Sequence, residues 1–129
     1  MKLRLETHGG ATAFQPGELI EGVAAWEAGH APTRVEVRLF WFTSGKGDQD
    51  VGVVAVQTFE APRQVDARPF ALAVPEGPWS FSGRLITLSW ALELVALPGA
   101  LAARVELVVS PTGRELQLST AQDRFPLRT

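Results

Sequence analysis

The run WSFSGRLITLSWALEL, from Trp79 to Leu94, decides how the rest of the chain is read. After Pro78, the small polar pair Ser80 and Ser82 and the permissive backbone of Gly83 make a turn. Ile86, Leu88, Trp90, Leu92 and Leu94 then fall at every second position, with Thr87, Ser89, Ala91 and Glu93 between them. Successive side chains of a strand point to opposite faces, so this pattern predicts a long strand with a core face and a smaller, wetter one.

Working outward, the same alternation recurs. Leu3 and Leu5 oppose Lys2, Arg4 and Glu6 in an opening strand that ends before Gly9-Gly10. Phe14-Gln15-Pro16-Gly17 is a turn signal, since proline presets one backbone angle and glycine accepts angles closed to other residues. From Glu18 to Glu27 the face made by Ile20, Gly22, Ala24 and Trp26 goes inward, and Gly22 leaves room for a neighbouring backbone or a large side chain. Arg34 to Thr43 places Val35, Val37, Leu39 and Trp41 on the core side. Its other face starts charged, with Arg34, Glu36 and Arg38, and turns apolar at Phe40 and Phe42. Further strands are expected at about Val51–Glu60, Val65–Val74, Ala103–Val109 and Leu116–Ser119, with a helical turn over Leu101–Ala103 from local propensity. Short strands separated by Pro and Gly turns, without a helical period, read as an antiparallel sandwich.

Composition bounds the function. The 129 residues fit one domain spanning 1–129, 46% hydrophobic and 20% charged, within the range of globular chains. A net charge of -2 with 12 scattered basic residues leaves no footprint for nucleic-acid phosphates. Cysteine is absent, which removes disulfides, thiolate chemistry and thiolate metal sites. The start, MKLRLETHGG, has no apolar run of a secretory signal, so a cytoplasmic setting is expected. Leu85–Ala103 is broken by Glu93 and Pro98-Gly99, which argues against a membrane span.

Searching for chemistry returns mostly negatives. The loop SGKGDQD, Ser44–Asp50, lacks the glycine and the hydroxyl residue that a phosphate-binding loop requires around Lys46. Asp48 and Asp50 are two carboxylates where calcium takes six to eight oxygens. His8 and His30 stand in loops at no zinc-like spacing, and no nucleophile and base are linked by position. Neither a catalytic residue, nor a metal ligand, nor a cofactor site is expected. Trp26, Trp41 and Trp90 share faces with aliphatic residues and read as core; Trp79 sits in a turn.

Three blocks carry a family resemblance. F-Q-P-G-E-L-I-E-G-V, Phe14–Val23, resembles the opening of arrestin-type domains, where a PGE turn leads into a strand. Val35–Asp50, containing V-R-L-F-W-F-T-S-G-K-G-D, resembles the third strand and following loop of bacterial arrestin-like proteins. Phe70–Leu94 resembles their proline turn and SF-x-G-x-x-I-x-x-W strand. This resemblance implies an immunoglobulin-like antiparallel β-sandwich of arrestin type and a non-enzymatic role as an adaptor or scaffold that binds a protein partner or self-associates as a homodimer. Tandem sandwiches, phosphate-sensing lysines and a buried charged core, as arrestins have them, find no counterpart in these residues. The candidate interface is Phe40, Phe42 and Trp79. The alternative is a small-ligand or carbohydrate-binding module using Trp79 and the SGKGDQD loop.

Overall fold

The computed structural model describes residues 1–45, 49–83, 86–99, 101–112 and 114–117. Among the described residues ten strands follow in chain order: β1 (Lys2–Thr7), β2 (Ala13–Phe14), β3 (Leu19–Glu27), β4 (Arg34–Gly45), β5 (Val51–Phe59), β6 (Val65–Ala73), β7 (Phe81–Ser82), β8 (Ile86–Leu97), β9 (Leu101–Val109) and β10 (Leu116–Gln117). A short 3-10 turn, His8–Gly10, follows β1. No helix among the described residues is long and apolar enough to cross a membrane.

One layer is the antiparallel set β1-β3-β6, and the other runs β5-β4-β8 and continues to β9 and, beside the first residues of β8, to β7. The β4–β8 register sets Val37 beside Leu94, Leu39 beside Leu92 and Trp41 beside Trp90. Alternation therefore delivers whole rows of apolar side chains to the interior. Ile20, Ala24, Val35, Val37, Leu39, Trp90, Leu92 and Leu94 are wholly buried there, joined by Trp26, Phe59, Phe70 and Val109. Both buried indoles keep a partner: Trp26 Nε1 donates to the Arg63 carbonyl at 2.7 Å and Trp90 Nε1 to the Pro78 carbonyl at 2.8 Å. An indole N–H without an acceptor would carry a desolvation penalty into the core.

Turn chemistry sets the connections. The Glu18 N–H donates to the Gln15 carbonyl at 3.1 Å around Pro16 and Gly17, and Gly17 takes φ 87, the left-handed value that a type II turn needs at its third residue. This turn also switches layers: β2 pairs in parallel with β9 in one sheet, while β3 lies in the other. At Gly22 an added Cβ would lie 2.8 Å from two ring carbons of Phe70, so the glycine accommodates that ring.

Two local expectations change. Leu101–Ala103 is strand, because Leu101 and Ala102 enter the ladder opposite Ala96 and Val95. Ladder bonds and packing outweigh helix preferences of a few tenths of a kcal/mol per residue. Ile86, expected on the core face, is 39% exposed; its β4 partner is Gly45, which offers no side chain to cover it. In the closing strand, Leu116–Gln117 pairs with β7, and Ser119 lies outside the described residues.

Candidate interaction face

The site builds on the outer face of β4. Alternation turns Arg34, Glu36, Arg38, Phe40 and Phe42 away from the core, where the charged three pair with one another and the two rings meet Arg104. Glu36 is buried at 5% exposure and accepts from Arg34 Nε at 3.0 Å and from Arg38 Nε at 2.6 Å. Opposite Arg38 on β8 stands Glu93, whose carboxylate meets Arg104 of β9 at 3.3 Å. The Arg104 guanidinium lies 5.1 Å from the Phe40 ring centroid and 5.3 Å from that of Phe42, and the two rings are 5.9 Å apart. A cation at that separation is held by the ring quadrupole, and its position is fixed from behind by Glu93.

Arg104 and Phe42 help bury Phe40 to 7% exposure, whereas Phe42 is half-buried. On the other flank the ladder brings Val53 opposite Phe40 and Val51 opposite Phe42. A register shift between Leu39 and Phe40 passes from Ala55 to Val53, so Val54 is the extra residue of a β-bulge. Val51, Val53, Val54 and Val56 are 63%, 55%, 41% and 47% exposed. Half-buried Phe42 and this valine row together form an apolar surface on a sheet face whose neighbouring part is charged. The valines were missing from the sequence-level candidate; the signal for them is the consecutive pair Val53-Val54, which strict alternation would split between two faces.

Trp79 lies elsewhere, between β6 and β7. It is 42% exposed and its Nε1 donates to the Glu76 carbonyl at 2.9 Å. Ring contacts join Phe40, Phe42 and Arg104 but do not include Trp79. Of the SGKGDQD loop, Lys46, Gly47 and Asp48 lie outside the described residues. Its base is closed by Thr43, whose N–H donates to the Asp50 carbonyl and whose Oγ1 accepts from the Asp50 N–H, both at 2.9 Å.

Chemistry-bearing groups remain dispersed. His8 and His30 are exposed. Among the described residues no three His, Cys, Asp or Glu side chains converge as a metal site would require. An open groove of about 820 Å³ crosses the ends of β1, β3 and β6 past Arg4, Trp26 and Asp66. Two of its polar groups are engaged: the Trp26 indole by the Arg63 carbonyl, and Asp66 by Arg68 at 2.8 Å. Burial acts to raise the Asp66 carboxyl, but the Arg68 hydrogen bond, the N–H groups of Arg63 and Ala67 and the Arg68 charge together hold it below its ordinary value.

No protein-family profile and no curated protein matches the chain. Among solved structures it is similar to Spo0M, the sporulation control protein of Bacillus subtilis, with a TM-score of 0.58 and 14% identity over 84% of this chain and 49% of that one. The chain thus spans about half the length of Spo0M. Ladder, layers and this likeness agree: the fold is an immunoglobulin-like antiparallel β-sandwich of the arrestin type.

Proposed function

We propose that the protein is a non-enzymatic interaction module, acting in the cytoplasm, that docks a protein partner on the outer face of β4 and β5. The observation that carries this reading is the apolar surface of Phe42, Val51, Val53, Val54 and Val56, where a solvated sheet face would alternate to polar residues. A fold shared with a sporulation control protein supports a regulatory role. Burying the exposed halves of four valines would contribute on the order of 3–6 kcal/mol. Association costs about 4–15 kcal/mol in lost freedom, so the side chains alone cover only the low end of that cost and a partner must add main-chain bonds or further area.

The test is Phe42→Ser combined with Val51→Ser, compared with the unaltered chain in quantitative affinity capture. Folding is checked by far-ultraviolet circular dichroism. Partners that depend on the face are lost from the folded variant. Identical captured sets would refute the reading.

A further inference from the structure

We propose that β5 is an assembly edge, pairing antiparallel across a two-fold axis with β5 of a second copy of this chain. The inference rests on the interaction reading above and supplies its partner. Among the long strands described, β1, β5 and β6 each pair on one side only. Open edges invite pairing with other chains, and folded proteins guard them with charge, proline, β-bulges or cover. Two of these edges are guarded by charge or proline. β1 exposes Lys2, Arg4 and Glu6, and β6 carries Pro69, which has no N–H to offer, together with the Asp66–Arg68 ion pair. Arg68 also reaches across to the carbonyls of Glu60 and Ala61.

By contrast, β5 reads VGVVAVQTF, nine residues with neither a charge nor a proline, and its interruption is the bulge at Val54, which lies between the two halves of the valine row. The Gln57 side chain accepts the Ala71 N–H of β6 at 3.0 Å, so that end is engaged, while Val51–Val56 has no strand beyond it among the described residues. The absence of charge permits a second copy of the same strand, and the valine spacing favours it. In a two-fold pair a strand meets itself, so any charge near the axis would face its own like. Here the seam is neutral in every register. Val51, Val53, Val54 and Val56 are spaced evenly about the middle of the open stretch, so self-pairing sets valine near valine, the β-branched cross-strand contact that sheets favour. Phe42 of each copy would then extend one apolar outer face across the seam.

The experiment is sedimentation velocity on the full chain from micromolar to millimolar concentration, with Val53→Lys and Val53→Glu alone and mixed. Val53 is 55% exposed, so both variants are expected to keep the fold, which circular dichroism and thermal melts verify. Expected are a concentration-dependent dimer for the unaltered chain, at least tenfold weaker association for each variant, and recovery of dimer in the equimolar mixture. Hydrogen exchange at Val51–Val56 slows in the dimer. A chain monomeric throughout overturns the proposal, whether β5 is bare or covered by another part of the chain. So does a dimer that neither charge weakens, or a mixture that stays monomeric. Should capture still depend on Phe42 and Val51 while the chain is monomeric, self-pairing is wrong and the interaction reading stands. A β5-dependent dimer whose Phe42 face captures no other protein upholds self-pairing and removes the separate partner.

Discussion

Gly52→Ala tests whether the indole of Trp41 is seated on the bare backbone of β5. Gly52 stands directly opposite Trp41 in the ladder, and a Cβ built on it would overlap Cε2, Nε1 and Cζ2 of that indole. Non-bonded carbons rest at about 3.5–4.0 Å, so the ring must move. Trp41 packs against the central cluster, and its displacement costs what overpacking usually costs, about 1–3 kcal/mol. A gain of about 0.5–1 kcal/mol from replacing glycine in a strand offsets part of that. For 129 residues the unfolding entropy is about 270 cal/mol/K, so a net 2 kcal/mol lowers the melting temperature by about 7 °C. The assay is a double-mutant cycle in urea and heat with Trp41→Ala. With the ring gone, Gly52→Ala becomes neutral or mildly stabilising, a coupling of about 1–3 kcal/mol. Equal effects of Gly52→Ala in both backgrounds would refute the reasoning.

Three further outcomes follow from individual contacts. Trp90→Phe strands the Pro78 carbonyl that its indole now satisfies, and the urea midpoint should fall by the equivalent of about 1–3 kcal/mol with an unchanged slope. Asp66 has a folded pKa below its unfolded one, so its contribution is complete above the unfolded value and disappears as pH falls through the folded value. Asp66→Asn should therefore flatten the acid limb of the stability profile, and Arg68→Ala should raise the Asp66 carboxyl in a carbon-detected NMR titration. Acrylamide should quench Trp79 well, half-buried Trp41 less and Trp26 and Trp90 poorly, and Trp79→Phe should lower the accessible emission; equal quenching in that variant would contradict the burial pattern.

Much of the framework was legible because strand periodicity is local. Val35-Val37-Leu39 and Leu88-Trp90-Leu92-Leu94 announce their buried faces without reference to anything else, and the Pro16-Gly17 turn and the space at Gly22 follow from the special backbones of those residues. What escaped depends on partners distant in sequence. Arg104 covers Phe40 from β9, and nothing near residue 40 signals a cation there. The sequence places Glu36 on a charged face, and Arg34 and Arg38 on its own strand fold over it and bury it. The bulge at Val54 arises from how β5 registers on β4, so a rule of strict alternation misplaces one of two adjacent valines. Leu101–Ala103 became strand because β8 lay ready to pair with it.

The hook formed by β2 has a consequence for how the chain must be made. Gln15, at the end of that hook, donates from its side chain to the Pro111 carbonyl, 96 residues further on, and β2 itself lies against the last two residues of β9. A ribosome delivers residue 14 long before residue 109. The first layer has its strands once β6 has emerged, but the stitch between layers waits until the C-terminal end of β9 is free. Through most of synthesis Ala13 and Phe14 remain an unclosed flap, and Phe14, one of the buried residues of the finished core, is in water until the closing step. Contacts of such span are slow to form because the loop must be closed before any of them is gained. A chaperone that recognises exposed aromatic segments would find this flap available for nearly the whole of that time.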